Sequence, residues 1–396
     1  MFRTRSGLLV SALSLPAFER QYFNRMRALN PIAYWPLWEA SGSVAYDYAI
    51  VDILNGGFET AGAGGADVWA TWAETAGDGA LANETTIVHG GSDAAKVTAG
   101  ATANTKVAQT CGVIPGHVYT LSFWTRGDGT NGGRYGVYDV SNSADIVAAV
   151  ATGVTGTTYT QKTATFIAPA GCISVRIDLW CPTTNTGIAY FDDVSMPGPG
   201  KHNGTCSNVT LGQPGIGDGR TSALFVPASN SYVNVYSVGL AAYFSGAEGT
   251  FTCWAKVSAA EVWTDDVRHD LFMLLVDGNN FINIRKLAVD NNILYGMYVA
   301  GGTIEQLSIM SFSPTAWFHV AITWSVYADE VKYFINGAQS DSTATGLGTW
   351  VGALPNPTLI GATTTGAGFW SGVIAHAILL NRAATPQEIA EAARVR

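Results

Sequence analysis

The residue types that most often carry out chemistry are present but do not gather into a motif. Six histidines are scattered along 396 residues, and the five cysteines (Cys111, Cys172, Cys181, Cys206, Cys253) include no CxxC pair. That spacing argues against a zinc knuckle and against a dense disulfide framework, and leaves one Cys172–Cys181 bridge open. No HExxH helix, GxSxG elbow or Walker loop occurs. What the chain has in quantity is aromatic side chains: 12 Trp, 16 Tyr and 16 Phe. Rings of this kind either fill cores or offer flat, half-wet faces to a ligand.

The elements that would position them are strands. Charged residues are only 13% of the chain, against about 25% in an average soluble protein. Glycine is abundant, at 45 residues. Low charge with many Gly, Trp and Tyr argues against a disordered chain, a coiled coil or a helical bundle, and for an all-β protein with tight turns. A net charge of −9 argues against a nucleic-acid partner, and no apolar run is long enough for a membrane span. Alternating runs include Val118–Trp124, Val175–Trp180, Phe251–Trp254 and Val331–Ile335, the last followed by Asn336-Gly337, a tight-turn dipeptide. A short C-terminal helix is predicted from Thr385, with Thr385 as cap, Pro386 in the first turn and Glu388 closing a capping box.

The first 30 residues differ from the rest. Residues 1–29 carry five arginines and one glutamate. Leu15, Phe18, Tyr22, Met26 and Leu29 recur at spacings of three and four, the stripe of an amphipathic helix. Residues 1–17 also read as an export signal, with Arg3 and Arg5 before an apolar stretch. Ser11 and Ser14 interrupt that stretch, and Leu15 stands where a cleavage site wants a small residue, so Met1 is expected to be retained. The stripe either packs on its own domain or forms an arm that docks into a larger assembly.

Residues 251–396 resemble the laminin-G or concanavalin-like lectin family. The matching stretches are Gly249–Trp254, Trp317–Trp324, Val331–Gly337, Leu359–Gly361 and Phe369–Leu380. The opening strand of that family is similar to Ala33–Gly42, and its continuation resembles Lys201–Thr205 and Val209–Gly219. The segment between has its own signature: Ile53–Glu59, Pro115–Arg126 and Ala189–Met196. It is similar to the jelly-roll carbohydrate-binding modules appended to xylanases and glucanases. These resemblances imply two antiparallel β-sandwich jelly rolls, one inserted into a loop of the other. The expected division is residues 1–30 as a helical arm, 31–50 with 200–396 as the lectin-like domain, and 51–199 as the insert.

The xylanase-type resemblance implies a structural Ca2+ near the first and last strands of the insert, at Glu59, Asp192 and Asp193. It also implies a glycan on a sheet face, for which Trp124, Arg126, Tyr135, Tyr138 and Trp180 are the candidates. Phe123 and Trp124 must face opposite ways, so only one of them is core. Trp69 and Trp72 are expected to form a rim. In the lectin-like part Trp254, Trp317 and Trp324 read as core and His319 as framework, with Asp265-Asp266 and Asp290–Asn292 as weak loop candidates. Concanavalin-like glucanases carry a Glu-x-Asp-x-x-Glu strand, and none occurs here.

The expectation is therefore a non-enzymatic protein of a bacteriophage particle, a decoration, fibre or tail-associated protein on the virion surface. It would dock to other virion proteins through the arm, form a homo-oligomer there and present glycan-binding domains to host or environmental glycans. The alternative is a secreted or cell-surface bacterial glycan-binding protein; a glycoside hydrolase is the third reading.

Overall fold

The computed structural model describes residues 17–182 and 187–395, with the backbone alone for residues 17–21. Three α-helices are described, α1 (Ala17–Ala28), α2 (Val238–Tyr243) and α3 (Pro386–Ala392), and almost all other regular structure is antiparallel strand. The strands form two sandwiches.

The larger sandwich pairs two eight-stranded sheets. Sheet I is built around Glu248–Val257, Phe318–Ser325 and Gly372–Leu380, with Ala33–Trp35 on its last strand. Sheet II runs from Val44–Ala45 through Gly204–Ser207 and His269–Asp277 to the edge strand Thr303–Ile309. Between them Phe251 stacks on Phe272 with ring centroids 3.4 Å apart, amid Trp35, Trp324, Trp370 and Tyr333. Each such side chain contributes about 1.5–3 kcal/mol by leaving water, and Phe251→Ala would cost about 3–5 kcal/mol. The predicted tight turn is present: Asn336 and Gly337 both have positive φ, 49° and 85°, the pairing that lets two residues reverse a twisted hairpin.

Strand Phe318–Ser325 is buried at every position. Val320, Ile322 and Trp324 face sheet II, whereas Ala321 faces outward and is covered by α1 and α3. The α3 start forms the expected capping box between Thr385 and Glu388. Tyr22 and Met26 of α1, with Leu29 just past its end, pack against Trp254, Ile378, Leu380 and Ile389. Tyr22 Oη donates to the Ala392 carbonyl and accepts from Trp254 Nε1. The docking face expected on the arm is thus corrected for these three residues: the outer side of sheet I is apolar and takes the stripe itself. Leu15 and the side chain of Phe18 lie outside the described residues.

The chain leaves the larger sandwich after Val44–Ala45 and rejoins the same sheet at Gly204–Ser207, next to it. The two crossing segments run side by side, Val51 bridging Gly198. Asp47 ties them together. Its carboxylate accepts from the N–H groups of Tyr34, Ala49 and His202, and burial pushes its pKa up to about 7.

Between these crossings lies the smaller sandwich. Sheet III has the strand order Ala144–Ala151, Arg134–Asp139, Ser174–Cys181, Thr105–Gly112, Ala73–Thr75. Sheet IV has Thr160–Ile167, Val118–Arg126, Ile188–Ser195, Ala94–Thr98, Ala80–Glu84. Phe123, Phe191, Leu121, Val137, Ile177 and Leu179 fill the space between. Trp69 and Trp72 join this core instead of a rim. Trp72 stacks on Phe58, and the indole N–H groups reach Asn83 and the Asn55 carbonyl. All five cysteines are free. Cys172 precedes and Cys181 ends one strand, whose seven steps span roughly 23 Å, far beyond disulfide reach.

Candidate functional site

The smaller sandwich has two outward sheet faces, and the five aromatic and basic candidates divide among three places. Tyr135 is core: it is 8% exposed and packs edge-on against Phe123. Trp124 and Arg126 lie on the outer face of sheet IV, and Tyr138 and Trp180 on the outer face of sheet III. No single surface holds all five.

The sheet IV face is covered. His89 lies on the Trp124 ring with centroids 3.7 Å apart and planes 14° from parallel. Arg126 stands over Tyr190, whose other neighbour is the Lys96 ammonium. The segment bearing His89 is held down by the three expected calcium residues. Glu59 accepts from the Ser92 and Asp93 N–H groups. Asp192 accepts from those of His89 and Gly90. Asp193 sits in a bulge at φ 45° and meets His89 Nδ1 at 2.6 Å. Burial raises the pKa of Asp192 above the usual carboxylate value, against the pull of these N–H groups.

The structure therefore brings Glu59, Asp192 and Asp193 to one corner and aims their oxygens at the loop's N–H groups. A calcium ion needs six to eight oxygens around one point. Among the described residues no group of three or more His, Cys, Asp or Glu converges to hold a metal. The donor set as placed fits a loop anchor. In the larger sandwich Asp265 pairs with His269 and Lys286, and Asp290 accepts from the Tyr295 hydroxyl. His319 meets the Thr252 hydroxyl at 2.6 Å and is a framework residue.

The sheet III face is open and built differently. Strand Ser174–Cys181 alternates strictly, so Arg176, Asp178 and Trp180 share the outer side. Pairing sets Trp180 between Arg134 and Lys106, and Arg176 beside Tyr138. The Cζ3–Cη2 edge of Trp180 passes over Gly136, where a Cβ would make an ordinary contact at 3.6 Å, and the indole as a whole is half-buried. Arg176 grips Asp178 through two hydrogen bonds of 2.8 and 2.9 Å, and Lys106 Nζ reaches the same carboxylate at 3.2 Å. The Arg176 guanidinium also stands 4.9 Å over the Tyr138 ring. The pair with Asp178 raises the Arg176 pKa further, so that it stays a cation. Tyr138 and Trp180 stand four strand steps apart, about 13 Å, with fixed donors and acceptors between them.

Such a surface stacks flat rings and hydrogen-bonds hydroxyls. Lys106, Arg176, Asp178 and Gly136 were not singled out from sequence. The alternation in Val175-Arg-Ile-Asp-Leu-Trp180 was the signal that could have found two of them.

Each sandwich matches a family of its own. Residues 227–390 match the concanavalin A-like lectin/glucanases superfamily, and residues 52–185 match a carbohydrate binding domain family. The chain carries a concanavalin A-like lectin domain and a carbohydrate-binding domain, in the nearly all-β fold expected. Among solved structures, a CBM4 is 21% identical over 37% of this chain and 99% of its own length, with a TM-score of 0.28. The module TmCBM61, solved in complex with β-1,4-galactotriose, is 18% identical over 36% of this chain and 95% of its own, with a TM-score of 0.28. A family 16 carbohydrate-binding module is 17% identical over 29% of this chain and 84% of its own, with a TM-score of 0.25. No curated protein matches the chain.

Proposed function

We propose that this is a non-enzymatic glycan-binding protein whose saccharide lies on the outer face of sheet III. The observation that carries the reading is that half-buried Trp180 and Tyr138 share the outer face of sheet III with the Arg176–Asp178–Lys106 network between them. A sugar ring has apolar C–H faces and a belt of hydroxyls. The indole takes the former, and the ion-paired side chains, already fixed in place, bond the latter without losing much side-chain entropy on binding. The spacing of the two aromatics suits an oligosaccharide better than a single sugar. The matched carbohydrate binding domain family supports the same reading.

The particle role expected from sequence rested on β adhesion modules joined to a retained Met1 without a convincing export signal, with the arm as its means of docking. Tyr22, Met26 and Leu29 are used internally and offer no free face for docking, whereas the sheet III face supports glycan binding by itself. A glycan array with the full chain tests it. Binding to defined glycans that Trp180→Ala abolishes is expected, and binding that survives Trp180→Ala would refute it.

A further inference from the structure

Where the two sandwiches meet, a cleft of about 430 Å³ opens, within the size range of ligand sites and at a domain junction, where such sites favour. One wall is the far end of the sheet III face, Ala108, Thr110 and Gly112. The row Lys106, Ala108, Thr110, Gly112 pairs residue by residue with Trp180, Asp178, Arg176, Ser174. The cleft is therefore continuous with the proposed glycan face. The opposite wall is Val238 and Tyr243 of α2, and its floor holds Lys201 and His202 of the returning segment.

The polar groups there are incomplete. Lys201 is only 7% exposed, and its ammonium has no hydrogen-bond partner; it stands 4.9 Å from the Tyr119 ring and close enough to Asp47 to interact with its charge. A buried ammonium without an oxygen partner is costly. His202 is 1% exposed. Its Nδ1 lies 2.8 Å from Ser237 Oγ, which itself accepts from the Leu240 N–H as the cap of α2. Ser237 Oγ keeps a second lone pair and its own hydrogen, so it pairs with Nδ1 in either tautomer, while Nε2 has no partner. Burial keeps this imidazole neutral, with its pKa pushed down to about 3. The acids nearby are already engaged. Asp52 accepts from Ile53 N, Met196 N and Ser195 Oγ, and Asp47 from its three N–H groups. The Lys201 ammonium and His202 Nε2 are left without hydrogen-bond partners just beneath the surface of an otherwise largely apolar cleft.

We propose that this cleft takes a carboxylate-bearing sugar residue at one end of the glycan, so that the protein selects acidic saccharides. The carboxylate would draw the Lys201 ammonium toward the cleft, beside His202, and the sugar's C–H face would rest against Val238 and Tyr243. The inference rests on the sheet III reading but is tested apart from it. Calorimetric titration of the full chain with glucuronate, glucose and inorganic phosphate is the first experiment. Glucuronate is expected to bind at least about tenfold more tightly than glucose, the effect of roughly one charge-assisted hydrogen bond. Lys201→Met should abolish that preference. Val238→Trp should do the same by filling the cleft, and since Val238 is 63% exposed the fold should tolerate it. Trp180→Ala should leave glucuronate binding intact while removing oligosaccharide binding. Equal affinity for glucuronate and glucose, or glucuronate binding that survives Val238→Trp, would overturn the proposal while leaving the sheet III face standing. Phosphate binding as tight as glucuronate would overturn the acidic-sugar assignment, since any small oxyanion would then do.

Discussion

Removing residues 1–29 should strongly destabilise the larger sandwich. Tyr22, Met26 and Leu29 are buried on sheet I, and at about 1.5–3 kcal/mol each their contacts amount to about 5–9 kcal/mol. A whole domain is stable by only about 5–15 kcal/mol. A gentler perturbation isolates one contact. Tyr22→Phe keeps the ring but removes the oxygen that receives Trp254 Nε1–H at 2.8 Å and donates to the Ala392 carbonyl at 2.9 Å. A buried donor and a buried acceptor are then unpaired, at a cost of about 1–3 kcal/mol. Urea unfolding followed by circular dichroism and tryptophan fluorescence reads both variants, with the smaller sandwich as an internal reference. The transition of the larger sandwich should move to lower urea and that of the smaller should stay. An unchanged midpoint after deletion of residues 1–29 would refute the reasoning and return α1 to the role of a free docking arm.

Three further outcomes are expected. Glu59→Ala should free the segment around His89 and raise the accessibility of Trp124 to a soluble quencher, while a chelator leaves the melting curve of wild type unchanged; a chelator-dependent melting temperature would instead place calcium among Glu59, Asp192 and Asp193. Burial, with the nearby His376, lowers the His319 pKa from 6.5 to about 3, so between those values the unfolded chain binds a proton that the folded one refuses. This stability is complete above about pH 6.5 and lost as pH falls toward 3, and in melts across that range the advantage of wild type over His319→Gln should shrink with acid; an advantage independent of pH would contradict it. Residues 51–199 should fold alone, and the remainder should fold when Tyr48 is rejoined to Lys201 by a short Gly/Asn turn, since the crossing segments already lie side by side; a rejoined chain without β-sheet circular dichroism would contradict this.

Strand alternation carried much of the fold. The runs Val118–Trp124 and Val175–Trp180 read as strands with one wet and one dry side, and they are. The same rule held more than was drawn from it. Tyr135 and Tyr138 are an odd number of residues apart on one strand, so only one of them can face water, and Tyr138 does. Other features depend on contacts that local pattern does not encode. The stripe Tyr22, Met26, Leu29 says that something apolar covers it, but not that Trp254 and Ile378 do. His89 reaches Trp124 from another part of the chain and closes a ring that looked available. Lys201 and His202 looked like part of a turn, and become buried groups with unpaired nitrogens beside a cleft whose other lining includes α2.

The central claim is that glycan binds on sheet III and not on sheet IV. Titration of the best glycan from the array into wild type, Trp180→Ala and Trp124→Ala by calorimetry tests it most directly. Trp180→Ala should weaken binding by at least about thirtyfold, the loss of a hot-spot side chain worth about 2 kcal/mol. Trp124→Ala should change the affinity less than about threefold, because His89 already occupies that ring. The reverse order, with Trp124→Ala abolishing binding and Trp180→Ala leaving it intact, would contradict the account.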